Sequence, residues 1–169
     1  MALITLTEIS EYKDVSAHLG KRADSAIEDA ERLDIKPLLG ERMYLDMSRL
    51  LTQDKYQLLL NGGEYEYDDF TYEFAGLKRV IIEFAYARIV FFGSEKATPH
   101  GIVDKLNQDS KPITRDNKKE KYTAARQTAV ELWKEVYLFL QRKKDDYVYW
   151  DLCKTNPEKI SGIKLTHVR

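Results

Sequence analysis

Cysteine and histidine are scarce in this chain, which removes several kinds of chemistry. Of 169 residues one is cysteine, Cys153, and three are histidines spread along the chain without the spacing of metal ligands. A lone cysteine closes no disulfide within the chain, which suits a reducing compartment. No base stands beside Cys153 to activate its thiol. The sequence therefore predicts no metal site, no cofactor and no cysteine nucleophile.

Catalytic motifs and an excess of charge of one sign are also missing. The chain has no glycine-rich phosphate loop, no HExxH and no GxSxG, so we expect a protein that is not an enzyme. Its 27 basic and 28 acidic residues leave a formal charge of −1. No overall field therefore draws the protein to nucleic acid or to a membrane.

Long hydrophobic runs are absent too. The longest, 80–92, contains Glu83 and Arg88 and falls short of the roughly 18 residues that span a bilayer. The first ten residues lack the basic start and apolar core of a signal peptide. A length of 169 residues fits one domain, and 43% hydrophobic with 33% charged residues is typical of a soluble globular protein. We therefore expect a soluble, cytosolic protein.

The spacing of apolar residues predicts a mainly α protein, a helical bundle with a small β-hairpin insertion and an extended C-terminal arm. The stripe from Ala23 to Leu33 has the i, i+3, i+4, i+7 spacing of a helix buried along one face. Thr7 is predicted to cap the first helix and Asp34 the third, because their side-chain oxygens accept free backbone N–H groups. The predicted helices are 8–12, 21–33, one that begins after Asp34 and continues past Gly40, 55–60, 76–92 and 114–144.

Aromatic and acidic residues alternate between two of these helices. Alternation of period two over 64–67 and 70–74 predicts two strands joined by a turn. The spacing of a calcium loop is absent, and a solvated charged face is the plain alternative. Since a lone hairpin is marginally stable in water, we expect this one to pack on the helices or on a partner. The candidate contact residues are Tyr65, Tyr67, Asp68 and Asp69.

Arg88 lies on an apolar face of the predicted helix 76–92. An unpaired buried charge is costly, so the favoured interpretation is a structural arginine paired with a carboxylate. The rival interpretation is an enzyme or small-ligand site, which predicts an open cavity beside Arg88 with perturbed ionisable groups.

The last helix has a basic beginning. Ten basic and four acidic residues lie in 111–144, and the apolar stripe starts at Tyr122, so the turns before it should project as a basic spur that includes Arg115, Lys118 and Lys119. One interpretation is a nucleic-acid-binding helical module, and another is a solvated helix. A third is a head-to-tail contact with the acidic hairpin of another copy, which closes into a ring where the rotation allows. The nucleic-acid candidates are Arg115, Lys118, Lys119, Lys121 and Arg126.

Two further segments complete the predicted domain, 1–150. Residues 93–113 are predicted as a long irregular loop with a possible strand at 102–106, and loops of that length often serve a function. Aromatic residues close the domain and are candidate interface anchors, because such side chains dominate interface energetics. These are Tyr147, Tyr149 and Trp150.

The tail, 151–169, has no helical period. Its apolar residues alternate with polar ones, which suits a strand that adds to the sheet edge of a partner. A frayed terminus is the alternative. The candidate contact residues are Ile160, Ile163, Leu165 and Val168.

The order of these segments resembles one known family. The string ITLTEISEYKDVS is followed by a helix, then by IKPLLGERMYLDM, YQLLLNGGEYEY, TYEFAGLKRVIIEFAYARIV and a long last helix. This order is similar to that of the small head–tail connector (adaptor) proteins of tailed bacteriophages, in the form found in phages and prophages of Bacteroidetes. The similarity covers roughly residues 3–140. Its most specific parts are LLNGG with the hairpin, GLK and YAR.

The resemblance implies a helical-bundle protein of the virion that forms a ring of about a dozen copies. Such a ring binds the portal protein on one side and a stopper or tail protein on the other, and DNA passes through its lumen as cargo. No catalytic residues come with the family, and no membrane is involved. In the family the C-terminal region often docks on the portal, which would give 151–169 a purpose.

Overall fold

The structure is a computed structural model that describes residues 2–92, 95–98, 101–104 and 114–150. It is mainly helical, with two small antiparallel hairpins, which confirms the predicted fold class. The predictions for the tail, including Ile160, Ile163, Leu165 and Val168, lie outside the described residues. No helix in the described ranges is long and apolar enough to cross a membrane.

The elements follow one another with short connections. The helices are α1 Leu6–Tyr12, a 3-10 turn Ala17–Leu19, α2 Lys21–Asp29, a π-helical turn Ala30–Ile35, α3 Lys36–Leu39, α4 Glu41–Arg49, α5 Asp54–Asn61, α6 Gly76–Phe92 and α7 Arg115–Arg142. The strands are β1 Gly63–Tyr67, β2 Phe70–Phe74, β3 Glu95–Thr98 and β4 Gly101–Asp104. β3 and β4 pair within the segment predicted to be mostly irregular.

Helix α6 forms the centre of the molecule. It packs chiefly against α7, and α2 and α5 cover its other sides. Phe84 from α6 and Trp133 from α7 are both almost fully buried. Because α6 is apolar around most of its circumference, burial on several sides is the arrangement that removes its surface from water.

The first helix begins two residues earlier than predicted. Its N-cap is Thr5, whose hydroxyl accepts the Glu8 N–H while the Glu8 carboxylate accepts the Thr5 N–H at 2.8 Å. This reciprocal capping box requires an acid three residues after the cap. Thr7 has Ser10 at that position, so the prediction of Thr7 was wrong.

Asp34 does not cap a helix, which corrects a second prediction. The chain stays helical from Lys21 to Leu39, with a π-helical turn over Ala30–Ile35. A π turn takes one more residue than an α turn, so the inward face moves along the sequence. Leu33, predicted to be buried, is therefore 62% exposed, and Asp34 comes to face the core instead. Gly40, at φ +79°, breaks the helix that was predicted to continue through it.

The predicted hairpin is confirmed, as are its strand ends within one residue. β1 and β2 pair with Tyr65 opposite Tyr72 and Tyr67 opposite Phe70. The two turn residues, Asp68 and Asp69, have φ of 51° and 62°, as the two-residue turns that match the twist of a hairpin require.

Two glycines join the base of the hairpin to the start of α6. Gly62 and Gly76 have φ of +78° and +80°, and a Cβ on either one would collide with the backbone beside the other. Glycine is needed at both positions, because the conformation is left-handed and the two backbone segments touch. The LLNGG and GLK strings thus mark one junction in space.

Candidate interaction surfaces

The first hairpin carries its aromatic side chains on one face. Residues that pair across two strands project to the same side, and the register places the aromatic residues of β1 and β2 in this way. The opposite face is polar and exposed. The aromatic face holds Tyr65, Tyr67, Phe70, Tyr72 and Phe74, and the polar face holds Glu64, Glu66, Thr71 and Glu73.

The base of the aromatic face packs on the end of α7. The ring of Phe74 stacks on that of Phe139 with centroids 4.2 Å apart, and Tyr65 meets Phe139 edge-on at 4.9 Å. Tyr65 and Phe74 are therefore buried. Tyr65, a predicted contact residue for a partner, is part of the core of its own chain.

Arg142, the last residue of α7, fixes the middle of the hairpin. Its guanidinium lies 3.8 Å from the centroid of the Tyr72 ring and donates a hydrogen bond of 2.7 Å to the Tyr65 hydroxyl. A cation over an aromatic face is attracted by the ring quadrupole. The hairpin is thus held along the final turns of α7 and continues past them.

The turn end of the hairpin extends beyond this support. Tyr67 and Phe70 are 44% and 67% exposed, although both lie on the aromatic face. Asp68 and Asp69, between them, are exposed as well. We call these four residues, 67–70, the hairpin tip. It presents apolar rings and carboxylates together, and Phe70 is a member that the sequence-based candidates missed.

The other end of α7 is basic. Arg115, Lys119 and Lys121 are exposed there, and we call these three residues the basic end. Lys118, predicted to project with them, is instead buried. α7 has 28 residues, so at 1.5 Å per residue the basic end lies about 40 Å from Arg142 and the hairpin.

Arg126, further along α7, faces inward. Its guanidinium reaches Asp34 at 3.1 Å and lies over the Phe84 ring at 4.9 Å. Two of the five residues proposed to bind nucleic acid, Lys118 and Arg126, are therefore directed into the fold. The remaining three make a smaller basic surface than the sequence predicted.

Asp34 lies between two arginines. The Arg88 guanidinium approaches it at 2.7 Å and Arg126 at 3.1 Å, and the side chains of Asp34, Arg88 and Arg126 are 8%, 13% and 19% exposed. This confirms the prediction that Arg88 is paired with a carboxylate. We call the three residues the buried triad. It connects the π-helical turn, α6 and α7.

A cavity of about 230 Å³ borders the same arginine. Its lining includes Leu19, Arg22, Asp29, Arg88 and Phe92. The cavity itself agrees with the small-ligand interpretation, whereas the pairing of Arg88 agrees with the structural one. Within the described residues no group of three histidine, cysteine, aspartate or glutamate side chains is placed to hold a metal ion.

The aromatic residues at the end of the domain divide between core and surface. Tyr147 and Trp150 are 3% and 7% exposed, and the Tyr147 hydroxyl donates a hydrogen bond of 2.6 Å to the backbone carbonyl of Lys55. Burial raises the pKa of Tyr147, so this hydroxyl stays protonated. Tyr149 is 54% exposed. Of the three predicted anchors, only Tyr149 is open to a partner.

Comparison with known proteins gives a family and no function. The chain belongs to a family of unknown function (DUF6712), whose sequence profile matches residues 35–160. The matched range contains the first hairpin, α6 and α7. No curated protein and no solved structure matches the chain.

Proposed function

We propose that this protein is a structural connector of a tailed-phage virion. Its copies form a ring that binds the portal protein on one side and a tail or stopper protein on the other, and DNA passes through the ring. The protein acts by holding other proteins together and carries out no reaction. It is assembled in the cytoplasm of the bacterial host.

The observation that carries this proposal is the exposed hairpin tip. Large apolar side chains normally leave water on folding, yet Tyr67 and Phe70 remain 44% and 67% exposed at the end of a hairpin that is otherwise packed. Arg142 and the Phe139 ring hold the hairpin firmly on α7. A rigid projection that ends in exposed aromatic rings is suited to contact with another protein.

The position of the family-like strings gives further support. LLNGG ends α5 and opens β1, GLK opens α6, and YAR contains Arg88 of the buried triad. The residues on which the resemblance rests are thus the ones that set the hairpin on the bundle and bind α6 to its neighbours. Sequences with the same strings have a physical reason to share this architecture.

The test is assembly with the natural partners. The full chain is mixed with the portal protein encoded beside it, and the mixture is separated by size and imaged by negative-stain electron microscopy. We expect rings bound to the portal vertex. A chain that stays monomeric and does not bind the portal under any salt condition would overturn the proposal.

Binding to DNA separates the connector from the nucleic-acid-binding alternative. A lumen through which DNA slides should bind it weakly, whereas a DNA-binding module loses affinity steeply as salt rises, by roughly 0.9 decades per decade of salt for each phosphate contacted. Fluorescence anisotropy with a labelled duplex at several salt concentrations measures that slope. Tight, strongly salt-dependent binding would favour the alternative.

A further inference from the structure

We propose that the hairpin tip of one copy docks on the basic end of α7 in a neighbouring copy. This inference rests on the proposed function, because it names the contact that would join the subunits of the ring. The occupant of the exposed tip is thus a second copy of this chain.

Charge complementarity identifies the second copy. The tip carries Asp68 and Asp69, and every charged residue of the hairpin, 63–74, is acidic. The basic end presents Arg115, Lys119 and Lys121 to solvent. Opposite charges steer such surfaces together and fix their orientation. The aromatic rings of the tip supply the apolar part of the contact, and the aliphatic stems of lysine and arginine give them a surface to cover.

The two surfaces cannot satisfy each other within one molecule. They lie at opposite ends of a 28-residue helix, a separation of about 40 Å. Arg142 and the aromatic contacts hold the hairpin on α7, so the tip does not fold back toward the basic end. Any contact between them therefore joins two chains.

A contact between two different surfaces has a definite consequence for symmetry. It is heterologous, so each copy offers one free tip and one free basic end, and the chain of copies closes into a ring or continues as a filament. A dimer with twofold symmetry uses the same surface on both copies and would leave this pattern unexplained.

The small size of the tip indicates weak association in solution. Stable interfaces bury about 800 Å² on each partner, and four residues at the end of a hairpin provide only a fraction of that. We therefore expect isolated copies to be mostly monomeric and to associate when a template such as the portal brings them together. At high concentration the contact should still be detectable.

The direct test is zero-length crosslinking of the full chain. A mixture of unlabelled and ¹⁵N-labelled protein at about 1 mM, which half-populates a contact with a millimolar Kd, is treated with a carbodiimide that joins carboxylates to amines. We expect mixed-isotope crosslinks from Asp68 or Asp69 to Lys119 or Lys121. Crosslinks confined to other sites, or none between chains, would overturn the inference.

A matched pair of variants tests the role of charge. Asp68→Asn with Asp69→Asn removes two charges from the tip and keeps the turn, because asparagine tolerates positive φ. Glu64→Gln with Glu73→Gln removes the same charge from the base of the same hairpin. Sedimentation velocity should show about fivefold weaker association for the tip variant and little change for the base variant. Equal weakening by both would reduce the effect to net charge and sink the idea.

The apolar part of the contact needs its own variant. Phe70→Ser removes the most exposed ring of the tip, and since that ring is 67% exposed the fold should be unaffected, which urea unfolding checks. We expect weaker association with unchanged stability. Unchanged association would contradict docking through the tip.

These results and those of the portal experiment are separable. If rings form on the portal but contain no link between tip and basic end, the contact proposed here is wrong and the connector function stands. If the links form and the portal is not bound, the self-association is real and the connector function is wrong.

Discussion

Removing the carboxylate of the buried triad should destabilise this protein more than removing either arginine. Asp34→Asn leaves the guanidiniums of Arg88 and Arg126 without their anion, and their side chains are only 13% and 19% exposed. Arg126→Met still leaves Asp34 paired with Arg88 at 2.7 Å. The two variants change the same cluster by one charge each, so their difference reports on the orphaned charges.

The expected magnitudes follow from burial. Breaking a buried ion pair by removing one partner costs about 3–5 kcal/mol, because a charge stays in a poorly solvated place. We expect Asp34→Asn to fall in that range. Arg126→Met should cost less, about 1–2 kcal/mol, since a paired carboxylate remains and the methionine fills part of the space. A domain of this size loses roughly 2–4 °C of Tm for each kcal/mol.

Urea unfolding followed by circular dichroism measures these free energies of unfolding. The surface pair Glu28 and Arg32, whose side chains are 60% and 69% exposed, is the control, and Glu28→Gln should change stability by at most about 0.5 kcal/mol. Replacing all three triad residues, as Asp34→Leu with Arg88→Met and Arg126→Met, should restore most of the loss, because no charge is then left buried.

Two results would refute this reasoning. Asp34→Asn within about 1 kcal/mol of the parent chain would mean that water reaches the two arginines despite their burial. An apolar triple variant as unstable as Asp34→Asn would mean that the geometry of the triad, rather than its charge balance, stabilises the junction of α6, α7 and the π-helical turn.

Three further outcomes are expected. Gly76→Ala should cost about 1–3 kcal/mol more than Gly40→Ala in urea unfolding, because both glycines have positive φ but only a Cβ at Gly76 meets backbone. Burial raises the pKa of Glu31, so the parent chain should lose stability relative to Glu31→Gln as pH rises through that pKa, from about 4.5 upward; unfolding at several pH values checks this. Arg142→Gln should speed amide hydrogen exchange in the hairpin more than in α6, since it removes the cation above Tyr72.

Much of the fold follows from local sequence patterns. Helix α6 and the first hairpin were predicted nearly to the residue, because glycines and a two-residue turn delimit them and apolar spacing runs through them. The π-helical turn was not predictable in this way. Its extra residue follows no periodic pattern, and the pairing of Asp34 with Arg88 and Arg126 is visible only once three separate elements are packed together.

The interaction surface shows the same limit from the opposite side. Alternation marked the aromatic residues of the hairpin as equivalent, yet Tyr65 is buried and Phe70 is exposed. The difference arises because α7 ends at Arg142 while the hairpin continues, and no pattern within residues 63–74 encodes where a helix 70 residues later will stop. Burial of Tyr147 and Trp150 has a similar origin. A sequence pattern therefore identifies which residues want an apolar partner, and the tertiary fold decides which of them must find it in another molecule.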